Sequence, residues 1–126
     1  IYDKAKTQLY FCPRDQEGWI DVPEGIASIG DFAFACCSDI TQIQLPDTLG
    51  MIMPGAFENC TVIESITLPK ELGYIGQDAF AGCDNLTDIY FEGTAEEWQV
   101  VMSRAPRGIG IDEDKTTVHF LADKEN

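Results

Sequence analysis

The apolar positions of residues 23–91 recur with a period of 23 residues. Pro23, Pro46 and Pro69 mark the start of three copies, separated by two equal intervals of 23 residues. A period of this length is typical of a solenoid, in which each copy buries its apolar side against its neighbours. The copies read PEGIASIGDFAFACCSDITQIQL, PDTLGMIMPGAFENCTVIESITL and PKELGYIGQDAFAGCDNLTDIYF.

The second half of each copy predicts a short strand. In the middle copy Ile63, Ile66 and Leu68 have the spacing apolar-x-x-apolar-x-apolar, and successive copies are expected to pair as a parallel sheet. The following proline ends each strand because proline cannot donate to a β-ladder. The equivalent positions are Ile40, Ile63 and Leu86, then Ile43, Ile66 and Ile89, then Leu45, Leu68 and Phe91.

The first half of each copy is expected to turn the chain back across the core. An Ala-Phe pair in every copy predicts a ladder of buried rings at Phe34, Phe57 and Phe80. The cysteines at positions 37, 60 and 83 occupy one position of the repeat. We interpret them as a buried column in the reduced form, because inward-pointing parallel side chains lack disulfide geometry. The alternative is a metal or redox role.

Residues 1–22 are interpreted as an N-terminal cap and half repeat. Residues 19–22 (WIDV) repeat the strand pattern immediately before Pro23. Residues 8–12 are strand-like and residues 13–18 form a turn cluster, which together predict a hairpin that covers the first open edge of the stack.

Residues 92–126 are interpreted as a C-terminal capping helix and a last strand. Thr94 and Glu97 have the spacing of a capping box, and Pro106 closes the helix. Residues 116–121 (TTVHFL) predict the strand. We favour a lid over the last coil, with a partner-docking helix as the alternative. The apolar side of the helix comprises Trp98, Val101, Met102 and Ala105.

These motifs resemble the BspA-type leucine-rich repeats of bacterial surface proteins. In IASIGDFAFACCSDITQIQLP and LGYIGQDAFAGCDNLTDIYFEGT, the I-G-x-x-A-F-x-x-C core of that family is present and its L-x-x-I-x-L-P strand is legible. The middle copy departs from the pattern at Met53 and Pro54. The resemblance implies an α/β solenoid in a single leucine-rich repeat domain, residues 1–126. A leucine-rich-repeat-like parallel β-sheet would carry short turns or helical turns on its opposite side. The resemblance also implies a cell-surface or secreted location, and it carries over no catalytic residues.

The charge of the chain argues against anionic partners. There are 22 acidic and 8 basic residues, which gives a net charge of −14. Such a surface repels phosphate, so we expect neither nucleic acid nor an anionic membrane as a partner.

No stretch approaches the roughly 20 apolar residues of a membrane span, so no membrane insertion is expected. The chain begins at Ile1 without the apolar core of a signal peptide and is interpreted as a trimmed piece of a longer product.

The residues that an enzyme or a metal site requires are sparse. His119 is the only histidine, and no nucleophile in a strained turn accompanies it. Residues 112–114 (DED) lack the glycine and the later glutamate of a calcium loop. The sequence therefore predicts a non-enzymatic protein without a metal or cofactor. An enzyme would need carboxylates with raised pKa values in a pocket.

The outward side of the predicted sheet is the candidate binding site. Strand side chains alternate, so the residues between the buried positions face solvent. Five strands would make a face about 20 Å across, on which Trp19 and Tyr90 are of the residue types that anchor interfaces. The alternative is a solvated face with two incidental aromatic residues. For His119, a solvated side chain on the sheet is favoured over a catalytic one. The candidate ligand-binding residues are Trp19, Asp21, Gln42, Gln44, Ser65, Thr67, Asp88, Tyr90 and His119.

Two functions fit this pattern. The first is a non-enzymatic interaction domain of a surface or secreted protein, which binds a protein or glycan ligand in the manner of an adhesin. The alternative is a structural spacer within a larger surface protein, without a ligand of its own. The sequence leaves the ligand and the oligomeric state open.

Overall fold

The protein is a parallel β-solenoid of about four turns with one short helix near its C-terminus. The computed structural model describes residues 1–2 and 7–123. The predicted solenoid fold is confirmed. In chain order the elements are β1 (Gln8–Leu9), β2 (Gly18–Asp21), β3 (Ser28–Ile29), β4 (Ile40–Gln44), β5 (Met51–Ile52), β6 (Ser65–Leu68), β7 (Tyr74–Ile75), β8 (Asp88–Phe91), α1 (Ala95–Ser103) and β9 (Thr117–Phe120).

The longer strands lie side by side on one side of the solenoid, and we call their outward side the long-strand face. β2 pairs with β4, and β6 pairs with β8, which pairs with β9, all in parallel. The expected run of five paired strands is therefore interrupted between β4 and β6. Gly18 pairs with Ile40 but Trp19 pairs with Gln42, so Thr41 is an extra residue in β4. Such a bulge bends its strand and disrupts the ladder locally.

The two-residue strands form a second parallel sheet, in the order β1-β3-β5-β7. We call its outward side the short-strand face. β1 belongs to this sheet and β2 to the other, so residues 8–21 form a shortened first coil instead of the expected hairpin. Leu9 pairs with Ile29, and the Cys12 N–H donates to the Ala33 carbonyl. The Phe34 N–H makes the equivalent bond to the Ala56 carbonyl in the next coil. An antiparallel bridge joins Tyr2 to Leu9 at the outer edge.

The core between the two sheets contains the predicted ladder of rings. Phe34, Phe57 and Phe80 stack with centroids 5.3 and 5.4 Å apart and nearly parallel planes. All three are almost completely buried. Uniform stacking of this kind follows from the constant 23-residue period, because each coil places its ring directly over the preceding one.

The cysteine column lies beside these rings and satisfies backbone carbonyl groups. The Cys60 thiol donates to the carbonyl oxygen of Phe34, and the Cys83 thiol donates to that of Phe57, both at 3.1 Å. Cys37 and Cys60 are fully buried, whereas Cys83 is partly exposed. All are free thiols. Burial raises the pKa of Cys37 to about 12 and that of Cys83 to about 11, so the column is neutral.

Left-handed backbone recurs at two positions of every copy. Phe32, Gly55 and Asp78 have positive φ values at one position, and Cys36, Asn59 and Gly82 at the other. At both positions a side chain leans over the glycine of the next coil. A β-carbon at position 55 would collide with the ring of Phe32, and one at position 82 would collide with the Asn59 amide.

Helix α1 closes the end of the solenoid beside β7. Thr94 and Glu97 form the predicted capping box, with the Glu97 N–H donating to the Thr94 hydroxyl at 3.1 Å. Trp98 is buried against Phe91, with ring centroids 5.2 Å apart. Arg104 follows the helix as its C-cap, and its Nη1 donates to the carbonyl oxygen of Gly73 at 2.7 Å.

Candidate functional site

The long-strand face presents all nine predicted binding residues on its outward side. The residues between them point inward and are buried, as Ile43, Ile66 and Ile89 show. The strand registers align the predicted neighbours: Asp21 lies opposite Gln44 and Tyr90 opposite His119. The exposed members are Trp19, Asp21, Gln42, Gln44 and Thr67, and the half-buried members are Ser65, Asp88, Tyr90 and His119.

Asp88, Tyr90 and His119 form one cluster at the C-terminal half of the face. The His119 ring stacks on the Tyr90 ring with centroids 4.7 Å apart and planes inclined by 15°. His119 Nε2 lies 2.8 Å from Asp88 Oδ1. The carboxylate therefore fixes the orientation of the imidazole, which in turn supports the phenol ring. The result is a flat, ordered platform that is open to solvent on one side.

Thr87 is a member of this cluster that the sequence analysis missed. Its hydroxyl donates to Asp88 Oδ2 at 2.9 Å, while the other carboxylate oxygen contacts His119. The hydrogen bond to His119, followed by the one from Thr87, lowers the pKa of the Asp88 carboxyl. Thr87 precedes β8 by one residue, and the alternation of buried and exposed positions within a strand does not extend to it.

An open depression of about 440 Å³ adjoins the platform. Tyr90, Ser65 and Thr87 line it together with three carboxylates, so a ligand on Tyr90 would also meet an acidic, hydroxyl-rich surface. The carboxylates are Glu64, Asp84 and Asp88. Within residues 1–2 and 7–123, no group of three histidine, cysteine, aspartate or glutamate side chains could hold a metal ion.

Trp19 is separated from the platform. It lies on β2, at the opposite end of the face, and its side chain is 62% exposed. Three strand spacings separate its column position from that of Asp88, a distance of about 14 Å. The two predicted aromatic anchors therefore do not form a single aromatic pocket.

A cavity of about 710 Å³ lies at the C-terminal end between α1 and β9. Trp98, Met102, Ile111 and Phe120 supply apolar walls. Asp88 and Glu97, whose carboxyl pKa values are lowered, lie outside this cavity. A general acid is expected to have a raised carboxyl pKa. Among the described helices, none is long and apolar enough to span a bilayer.

Comparison with known proteins places these features in context. The sequence profile described as "BspA type Leucine rich repeat region" matches residues 10–101 with six copies. A T. pallidum leucine-rich repeat protein is 30% identical with a TM-score of 0.60; the match covers 67% of this chain and 41% of that one. A leucine-rich cell surface protein from Faecalibacterium prausnitzii is 29% identical with a TM-score of 0.58; coverage is 62% and 20%. Among curated proteins, none matches.

Proposed function

The chain belongs to the BspA-type leucine-rich repeat family, and from that premise we propose that it is the non-enzymatic interaction domain of a surface or secreted bacterial protein. Its long-strand face binds a protein or glycan ligand, as an adhesin does. One of the similar structures is itself a cell surface protein. The chain spans 41% and 20% of the two similar chains, so the role of a whole protein is part of the proposal.

The ordered platform of Tyr90 and His119 is the observation that carries this proposal. An unconstrained surface histidine loses rotamer freedom when a ligand contacts it, and that loss reduces affinity. Here Asp88 and the Tyr90 ring already hold the imidazole in place. The platform presents a preformed aromatic surface of the kind that is enriched at binding hot spots.

The remaining residues of the long-strand face supply polar contacts around the two anchors. Gln42, Gln44, Ser65 and Thr67 offer hydroxyl and amide groups that donate and accept hydrogen bonds, the combination that suits a glycan or a polar peptide backbone. Trp19 adds an exposed indole at the far end of the face. An extended ligand that contacts both ends would cover about 20 Å.

The experiment is a binding screen of the full chain on two arrays, one of immobilised glycans and one of surface-protein fragments. Any hit is then measured with Tyr90→Ala and with Trp19→Ala, and we expect at least tenfold weaker binding for Tyr90→Ala, as for a hot-spot aromatic. Val100→Ala, on an exposed position of α1, is the matched control and should bind normally. Melting temperatures establish that the variants fold.

The spacer role is the competing outcome of the same screen. A structural spacer gives no saturable binding on either array, and Tyr90→Ala then changes nothing except stability. Binding that survives both Tyr90→Ala and Trp19→Ala moves the site off the long-strand face and contradicts the proposal.

A further inference from the structure

The short-strand face contains a slot over Gly30, between residues of the two neighbouring coils. Tyr10, Gly30 and Met53 occupy equivalent positions just after β1, β3 and β5. The Gly30 N–H donates to the Leu9 carbonyl, and the Met53 N–H to the Ile29 carbonyl, so the three residues are in register. Tyr10 and Met53 are two strand spacings or about 10 Å apart, and a depression opens over Gly30 between them. A β-carbon at Gly30 would lie 3.2 Å from the Leu9 carbonyl oxygen, so this coil approaches the preceding one closely here.

This slot is an open cavity of about 380 Å³ with walls of different chemistry. Tyr10, which is 51% exposed, lines one side and Met53 lines the other. Ser28 lies deeper in the slot and is only 9% exposed, while Met51 on the rim is 43% exposed. The exposed carboxylate of Asp31 completes the rim.

The Asp31 carboxylate at the rim forms no ion pair within the described part of the chain. The ion pair in that part joins Asp88 to His119, on the other face of the solenoid. The side chains that line the slot include no lysine or arginine. An aromatic ring, a thioether and an acid thus surround a space that a flat cationic group fits.

We propose that this slot binds an arginine side chain presented by a basic segment of a partner protein. The guanidinium lies between the Tyr10 ring and the Met53 thioether, and its N–H groups meet the carboxylate of Asp31. A cation over an aromatic face is attracted by the ring quadrupole, and methionine adapts its shape to a flat neighbour. This site is independent of the long-strand face and of the ligand proposed for it.

Arginine fits the slot better than lysine does. The guanidinium is planar and weakly hydrated, so it stacks against a ring and leaves water readily. The lysine ammonium is a compact and strongly hydrated charge that gains little from two parallel walls. A second copy of this chain is a poor occupant, because each copy has a net charge of −14 and the copies repel one another. A basic partner segment is attracted by the same charge.

The test is a titration of the full chain, followed by 15N–1H NMR, with N-acetyl-arginine methylamide. The matched probe is the citrulline analogue, which has the same length and planar head group but no charge. We expect saturable shifts at the Gly30 and Ser28 amides with the arginine probe. The citrulline probe should bind at least about fivefold more weakly, and the lysine probe should lie between them.

Three variants distinguish the slot from a general acidic surface. Asp31→Asn and Tyr10→Leu should each weaken arginine binding by about fivefold, because they remove the charge and the ring. Asp47→Asn changes an exposed acid elsewhere and should have no effect. Equal binding of the citrulline probe, an unchanged affinity of Asp31→Asn, or shifts confined to other surfaces would overturn the proposal. Larger slot shifts with a methyl glycoside than with the arginine probe would also overturn it.

Discussion

The guanidinium of Arg104 terminates the short-strand sheet at the carbonyl oxygen of Gly73. In the preceding coils the equivalent carbonyl oxygen accepts a hydrogen bond from the backbone N–H of the next coil. The Gly50 N–H donates to the Ala27 carbonyl, and the Gly73 N–H donates to the Gly50 carbonyl, each at 2.9 Å. Arg104 Nη1 makes the equivalent bond at 2.7 Å. A side chain thus occupies the hydrogen-bonding place that a further coil would take, and the open edge of β7 is partly blocked.

Removing this side chain should destabilise the C-terminal edge. We expect Arg104→Ala to lower the free energy of unfolding by about 1 kcal/mol, since a charge-assisted hydrogen bond on an exposed edge is lost. Urea denaturation measures the loss. Arg107→Ala, three residues on and exposed, is the matched control. Equal losses in the two variants would show that the Gly73 contact contributes nothing specific.

The middle ring of the ladder should be costly to truncate. Phe57 is almost fully buried and stacks on Phe34 and Phe80 at once. Phe57→Ala should lower the free energy of unfolding by about 3–5 kcal/mol, because it leaves a cavity between two rings. Phe57→Leu, which keeps most of the volume, should lose less. A loss below about 1 kcal/mol for Phe57→Ala would contradict the burial on which this expectation rests.

Alanine at position 82 should cost less stability when the neighbouring Asn59 is changed. The φ of Gly82 is +73°, and a β-carbon there would meet the Asn59 side chain. Gly82→Ala therefore combines left-handed strain of about 1–2 kcal/mol with a collision. In an Asn59→Gly background the collision is absent, so the second substitution should cost less. A double-mutant cycle from chemical denaturation measures the difference, and simple additivity of the two substitutions would rule out the contact.

The cysteines should differ sharply in reactivity. Cys36 is exposed, whereas Cys37 and Cys60 are buried. In the folded protein, iodoacetamide should modify Cys36 before it modifies Cys37 or Cys60. Mass spectrometry of peptides identifies the modified sites. Unfolding in urea should equalise the rates. Rapid labelling of Cys60 without denaturant would contradict a packed column.

The same column predicts a loss of stability in alkali. Burial raises the pKa of Cys83 from 9.0 to about 11 and that of Cys37 to about 12. The folded state therefore holds the thiol proton more tightly than the unfolded state does. The protonated thiols therefore contribute to the free energy of unfolding, fully below pH 9, and the contribution is lost as the pH rises through 11 and 12. Melting temperatures in alkali should fall less steeply for Cys83→Ala than for the parent chain.

The carboxyl of Asp88 should report on its histidine neighbour. Its pKa is lowered, so the folded state favours the carboxylate. That preference is complete above the ordinary value of 3.8 and disappears as the pH falls through the lowered folded-state pKa. In His119→Leu the Asp88 pKa should rise toward 3.8, as followed by carboxyl 13C NMR. An unchanged pKa would assign the shift to Thr87 alone.

The 23-residue period predicts that Asp21 lies beside Gln44 on the long-strand face. The register of Tyr90 with His119 follows from the match of Val118 and Phe120 to the strand pattern of Ile89 and Phe91. The interruption between β4 and β6 and the bulge at Thr41 both escaped prediction, because each arises in the pairing of two strands. Sequence periodicity describes each strand alone and carries little information about such a local shift.

The second sheet was harder to foresee for a different reason. Its strands contain two residues each, such as Ser28 and Ile29, which is too short for an alternating pattern to be recognised. The slot at Gly30 depends on comparing one position across coils, where glycine replaces a side chain between Tyr10 and Met53. The sequence contains that difference, but its meaning depends on knowing that the position borders a depression of the surface.

The contact between Phe32 and Gly55 has a consequence for how the protein changes over generations. The Phe32 ring fills the space that a β-carbon at position 55 would need. The copy that contains Phe32 can precede a copy with glycine at the equivalent position, but it cannot precede a duplicate of itself without a collision. Of the three copies, the middle one has glycine at this position, so the first copy fits before the middle one and not before a copy with a side chain there. Tandem duplication of the first copy would keep the period of 23 residues. It would nevertheless require a compensating substitution at the new junction.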